Sequence, residues 1–239
     1  MQAALKETLL KHACEPYRRT GVFNFRWARG KLGGDPVFPA LLGGQLLPSK
    51  ARITDLGCGR GLLAAWFLGA EQLARQGRWP DAATPVQGLS FRGVDLNARD
   101  VACGMQALDA PYGARVQLHQ GDMREADLAG SDVVTLLDVL HYVPFDDQER
   151  LLDRIRAALP AGGLLITRVS DALGGLRFRV SQVVDQLSIV MQGHAPCRMW
   201  TRPMRDWIDL LEHRGFQVEA RPMSMDTPFA NVMLVGRLH

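Results

Sequence analysis

The sequence predicts an α/β domain built on a mainly parallel sheet, and three observations carry that expectation. From residue 52 onward, short β-type runs alternate with stretches of helical spacing, the pattern of strands joined by crossover helices. Ile53-Thr54-Asp55-Leu56 runs straight into Gly57-Cys58-Gly59-Arg60-Gly61, after which Leu62, Leu63, Trp66, Phe67, Ala70 and Leu73 recur at helix spacing. At 239 residues, 47% apolar and 22% charged, the chain is long enough to bury a full core and ordinary enough to be one large globular domain.

The elements follow in order. Residues 1–50 read as an N-terminal helical cap or lid: an amphipathic helix ending near Cys14–Pro16, aromatics from Val22 to Trp27, a Gly33-Gly34-Asp35-Pro36 turn, and a helix within Phe38–Leu47. The main domain, 51–239, opens with a strand at Arg52–Leu56 and a helix to about Gln76. A long connection carrying Pro80 and Pro85 leads to a strand at Ser90–Val94 that ends on Asp95. Asn97 caps the next helix, which Pro111 is expected to stop, and a strand follows at Arg115–His119. Asp132–Leu137 is the fourth strand, and Asp146 with Glu149 reads as a capping box for a helix to Leu159. Pro160-Ala161-Gly162-Gly163 turns into a fifth strand at Leu164–Val169. Residues 171–200, with Val180, Val183, Val184, Leu187, Ile189, Val190 and Met191, read as a lid-like insertion. A helix at about Pro203–Arg214, a strand at Gln217–Arg221 and an alternating apolar stretch at Asn231–Arg237 complete the chain.

Bulk properties exclude several classes. A net charge of +3 without a dense basic block gives no reason to expect nucleic acid or an acidic membrane surface as partner. Cys14, Cys58, Cys103 and Cys197 form no CxxC pair, so no metal site is expected. Free thiols fit a reducing cytoplasm. Met1–His12 reads as an amphipathic helix rather than a secretory signal, and the longest apolar stretch, Leu62–Ala70, is too short to span a bilayer.

A strand, a turn without side-chain bulk and a helix make a platform for a nucleotide, because glycines admit positive φ and let a ligand approach the main chain. The spacing decides which nucleotide. A dinucleotide fingerprint needs a third glycine where Leu62 stands. With Asp55 just before the glycines, Ile53–Gly61 instead resembles motif I of class I S-adenosylmethionine (SAM) dependent methyltransferases. Three further places continue the resemblance over roughly residues 50–170. Asp95 stands at the tip of the second strand, where a carboxylate can accept both hydroxyls of a ribose. Gly121-Asp122-Met123 follows the third strand, and Asp138-Val139-Leu140-His141-Tyr142 the fourth.

The resemblance implies a Rossmann-like, doubly wound sheet of seven strands, mainly parallel, closed by a C-terminal antiparallel hairpin. It implies that Gly57, Gly59 and Gly61 pass under the methionine part of SAM, with Asp55 and Asp138 near its amino group. It places Asp95 on the ribose, Asp122 on the adenine amino group, Met123 and Leu140 against the ring, and Leu96 among the cofactor-binding residues. The fourth motif is similar to that of small-molecule methyltransferases and lacks the Asn/Asp-Pro-Pro-Tyr signature of enzymes acting on nucleic-acid bases. The expected reaction is methylation of a small-molecule acceptor, on oxygen first and carbon second, with S-adenosylhomocysteine (SAH) as product.

The acceptor side is read from residue chemistry. His141 is a candidate general base, since imidazole titrates near neutrality, or a structural histidine steering its loop. Tyr142 either binds substrate or packs in the core. Arg168, with Asp171 and His194 further on, follows the fifth strand; Arg168 suits either a substrate carboxylate or a salt bridge to a neighbouring loop. Trp200 and the 180–191 stretch suit a pocket wall or a homodimer contact. Tyr17, Phe23, Phe25, Arg26, Trp27 and Arg29 either close over SAM or dock the cap. Two rivals stay open, a nicotinamide-dependent oxidoreductase on a related sheet and a non-catalytic SAM-fold assembly partner.

Overall fold

A computed structural model describes residues 3–79, 85–173, 198–223 and 231–239. Its seven strands are β1 (Arg52–Leu56), β2 (Ser90–Asp95), β3 (Val116–Gln120), β4 (Val133–Leu137), β5 (Leu164–Ser170), β6 (Phe216–Pro222) and β7 (Asn231–Leu238), in the sheet order β3-β2-β1-β4-β5-β7-β6. The α/β class, the parallel majority and the antiparallel ending are those expected. Contacts divide the chain into two compact units, Met1–Asp127 and Leu128–His239, described in turn.

In the first unit β1 pairs with β2 and β2 with β3, all parallel. Four of the five β1 residues are buried, whereas β3 alternates buried with exposed positions, as expected for a covered strand and a sheet edge. Helix α1 (Ala3–Cys14) packs on α4 (Leu62–Arg75), and α2 (Val22–Gly34) and α3 (Val37–Gly43) complete the N-terminal layer. Trp66 is fully buried in α4 and donates to the Phe38 carbonyl at 2.9 Å, pinning α3 to it. Gly33 and Gly34 lie in the last turn of α2 rather than beyond it; the chain turns at Asp35, whose carboxylate accepts from the Val37 N–H at 3.0 Å. Asn97 caps α5 (Ala98–Tyr112) by accepting from the N–H groups of Arg99 and Asp100. Pro111 does not stop α5, which runs one residue further. A proline this close to the end removes only one ladder bond, and its carbonyl receives the Gln72 amide at 3.2 Å.

In the second unit β4 and β5 are parallel, and β7 runs antiparallel between β5 and β6. Every β5 residue is buried, and the edge strand β6 is mostly exposed. Helix α6 (Phe145–Ala158) buries Gln148, Leu151, Leu152 and Ile155 on one face, and α7 (Met204–Glu212) buries Trp207 and Leu211. The expected capping box at Asp146 and Glu149 does not form. Pro144 is the N-cap, and Glu149 pairs with Arg202 at 2.9 Å. Pro80, the 174–197 part of the insertion and His194 lie outside the described residues. Among the described residues no helix is long and apolar enough to cross a membrane, and no cluster of potential metal ligands occurs.

Candidate cofactor and acceptor site

The first unit gathers its predicted residues at the carboxyl ends of β1, β2 and β3. Gly57, Gly59 and Gly61 have φ of 77°, 52° and 72°, values that favour glycine. A side chain on Gly61 would meet Leu108 at 2.7 Å and Leu118 at 2.9 Å, whereas one on Gly59 would meet nothing within 4 Å. The turn is thus packed from below at Gly61 and bare at Gly59. Asp55 lies buried in β1 beneath it.

Asp95 joins the three strand ends. Its carboxylate accepts from the Gly59 N–H and the Asn97 N–H, both at 2.8 Å, and its carbonyl accepts from the Gly121 N–H at 3.0 Å. The Gly57 N–H donates to the Val94 carbonyl at 2.8 Å. Leu96, the next residue, leaves 69% of its surface exposed, an apolar side chain on the rim of this cluster. Asp122 is gripped by the Arg124 guanidinium, with Nε 2.9 and 3.0 Å from its two oxygens, which holds its carboxyl below the usual range. Met123, half-buried, follows in the same turn.

Arg60 organises this cluster in a way that sequence reasoning missed. Its Nε donates to Asp100 at 2.7 Å and one terminal nitrogen to Asn24 at 2.8 Å. The guanidinium lies 4.3 Å from the Trp27 ring centroid and 5.8 Å from that of Phe23. Its carbonyl accepts from the Tyr17 hydroxyl at 2.7 Å. The cap aromatics therefore divide: Tyr17 is buried and docks the cap, while Phe23 is 70% exposed beside the turn. The available signal was that Arg60 is the one charged residue inside the glycine turn. Gly93 and Gly104 were also missed; side chains there would strike Cys58 at 2.7 Å and the Arg60 carbonyl at 2.7 Å.

The second unit carries the remaining candidates. Asp138 follows β4 at φ 60°, left-handed for a residue with a side chain. The Arg168 Nε donates to it at 2.7 Å, and a second guanidinium nitrogen donates to its other oxygen. Arg168 is 3% exposed, so of the two roles expected for it, the salt bridge to a neighbouring loop is the one this geometry contains. Leu140 is buried. His141 is buried too, and burial pushes its pKa down to about 4, against the opposing pull of Asp138. Its ring meets Tyr142 edge-on at 4.1 Å, and its carbonyl accepts from the Trp200 N–H at 2.8 Å. Tyr142 is 37% exposed rather than enclosed in the core.

A family profile described as "Methyltransferase domain" matches residues 37–221. A carboxy-S-adenosyl-L-methionine synthase of Chromohalobacter salexigens is 32% identical over 118 residues, which is 48% of this chain and 38% of that protein. The chain thus spans well under two thirds of this curated relative. Two solved structures are similar in fold. The pyocyanin biosynthetic protein PhzM has a TM-score of 0.60 at 20% identity, covering 93% of this chain and 60% of that one. Magnesium protoporphyrin IX methyltransferase of Synechocystis, with SAH bound, has a TM-score of 0.59 at 18% identity over 99% of each chain.

Proposed function

The chain belongs to the methyltransferase-domain family, and on that footing we propose that it transfers a methyl group from SAM to a small-molecule acceptor. The observation that carries this reading is the cluster around Asp95: a bare Gly59, an aspartate whose carboxylate and carbonyl together tie the three strand ends, and an exposed Leu96. That set suits an adenosine ligand, with main chain for close approach, an acceptor for ribose hydroxyls and an apolar side chain for a base. We assign Gly57, Gly59, Gly61 and Asp55 to the methionine end, Asp95 to the ribose, and Leu96, Asp122 and Met123 to the adenine. Asp138 and Leu140 keep the roles that the family resemblance implies, with Arg168 orienting Asp138 through its fork.

The cofactor supplies an electrophilic methyl group on a sulfonium. The chain's part is then to align the acceptor, exclude water and hold any proton released. His141 is neutral at pH 7, the correct state for a base, yet with a pKa of about 4 it holds a proton poorly. This favours acceptors that ionise readily, such as carboxylic acids, phenols or enols, with oxygen as the first target and carbon as the second. It demotes His141 to assisting a proton already labile.

Thermal-shift titration with SAH, followed by a methyl-transfer assay over phenols, carboxylates and enolates, tests the proposal. Stabilisation by SAH and transfer to one acceptor class are expected. Stabilisation by NADH without any by SAH would establish the oxidoreductase reading instead, and weak or absent SAH binding with no transfer the assembly-partner one. A homodimer and a cytoplasmic setting complete the proposal, the former checked by light scattering.

A further inference from the structure

Gln148 is a polar residue on the apolar face of α6, in line with Leu151, Leu152 and Ile155, and none of its surface is exposed. An amide in such a place is costly unless its hydrogen bonds are made. Here they are. Its nitrogen lies 3.0 Å from the Leu140 carbonyl, 2.9 Å from that of Val143 and 2.8 Å from that of Trp200. Its oxygen accepts from the Arg202 Nε at 3.0 Å. The partners determine which way the amide faces, since three carbonyls require the nitrogen and a guanidinium requires the oxygen.

The residues tied together are those nearest the acceptor candidates. Leu140 and Val143 bracket His141 and Tyr142, and Trp200 lies where the chain returns from the 174–197 stretch. A second layer braces the same frame. Arg202 pairs with Glu149 and covers the Phe145 ring at 4.5 Å, Phe145 meets Trp200 edge-on at 5.2 Å, and the Trp200 N–H donates to His141.

We propose that Gln148 is a positioning residue for acceptor recognition, holding the 140–143 turn and Trp200 in one frame. It does not touch the acceptor; it sets where Tyr142 and Trp200 stand. The frame itself is independent of the reaction, while its effect on the acceptor rests on the methyl-transfer reading above. Leu140 and His141 share the frame, so small changes in cofactor affinity and turnover accompany the larger change in acceptor affinity.

The test uses Gln148→Met in the full chain, with two readouts. Amide hydrogen exchange by NMR should show the Trp200 N–H exchanging at least tenfold faster, with the Val169 N–H of β5 unchanged. With the acceptor identified by the screen, KM should rise at least tenfold, kcat stay within threefold and SAH affinity within twofold. Unchanged exchange at Trp200 sinks the proposal whatever the acceptor is. Faster exchange without a change in KM, or with kcat and SAH affinity falling together, reduces Gln148 to a structural residue and also overturns it. If the Met variant does not fold, Gln148→Glu, equal in length and still facing Arg202, must give the same split. Failure of the parent to methylate anything overturns the proposed reaction instead, and the exchange arm still decides whether Gln148 holds Trp200.

Discussion

Asp95 uses both carboxylate oxygens on backbone N–H groups, those of Gly59 and Asn97, and each oxygen retains a lone pair for a further donor. Its expected ribose role and its observed role as a tie for the glycine turn are therefore compatible. Asp95→Ala should weaken SAH binding by more than tenfold in calorimetry, since it removes a charge-assisted acceptor and loosens the turn together. Affinity equal to the parent's would take Asp95 out of the cofactor site. Asp138 and Arg168 show the reverse relation. Residue chemistry suggested separate partners for each, yet the fold makes them partners of one another. They stand 30 positions apart, and only the register of β4 beside β5, which sets Leu137 opposite Arg168, brings them together.

At the scale of elements, the glycine turn is defined by its neighbours as much as by its own residues. Gly104 in α5 backs onto it so closely that a methyl group would lie 2.7 Å from the Arg60 carbonyl and 2.6 Å from Leu118. Gly104→Ala should push the turn out of place, lowering Tm by several degrees and SAH affinity at least tenfold, although Gly104 touches no proposed ligand. Intact affinity in that variant would mean that the turn tolerates displacement. Arg60 links the same turn to α2 through Asn24, Trp27 and Phe23, and to α5 through Asp100. Arg60→Ala leaves Asp100 without its guanidinium in a mostly covered position, at a cost of about 1–3 kcal/mol. The amides of α2 should then exchange faster while those of β1 hold. Equal α2 protection in the parent and the variant would show that α1, packed on α4, suffices to hold the cap.

For the whole molecule, the buried imidazole of His141 makes stability fall with acid. Unfolded, it titrates near 6.5; folded, near 4. Above pH 6.5 both states are neutral and the group adds no pH dependence. Between 6.5 and 4 the unfolded chain takes up a proton that the folded chain refuses, so stability declines as pH falls through this window. The loss is about 3 kcal/mol at most. Urea midpoints from pH 7 to 4 should drop more steeply for the parent than for His141→Phe. Parallel curves would place the acid sensitivity elsewhere.

How far all this was legible in the sequence follows from the range of the interactions involved. The α/β class, the glycine turn and the Asn97 cap rest on hydrophobic period, glycine spacing and capping chemistry, which act within a few residues and so can be read along the chain. Pro111 and the Asp146–Glu149 pair were misread for a related reason. Each carries a real local preference, and tertiary partners, the Gln72 amide and Arg202, outweighed it. The lines joining Asp95 to Gly59, Arg168 to Asp138, Arg60 to Tyr17 and Gln148 to Trp200 were not legible, since each spans 30 or more positions. By itself the sequence determined the α/β class and the residue types at the strand ends, because periodicity and turn chemistry are local. Which of those residues hold one another, and which face outward, only the tertiary structure decided, because hydrogen bonds and burial are settled by where distant segments meet.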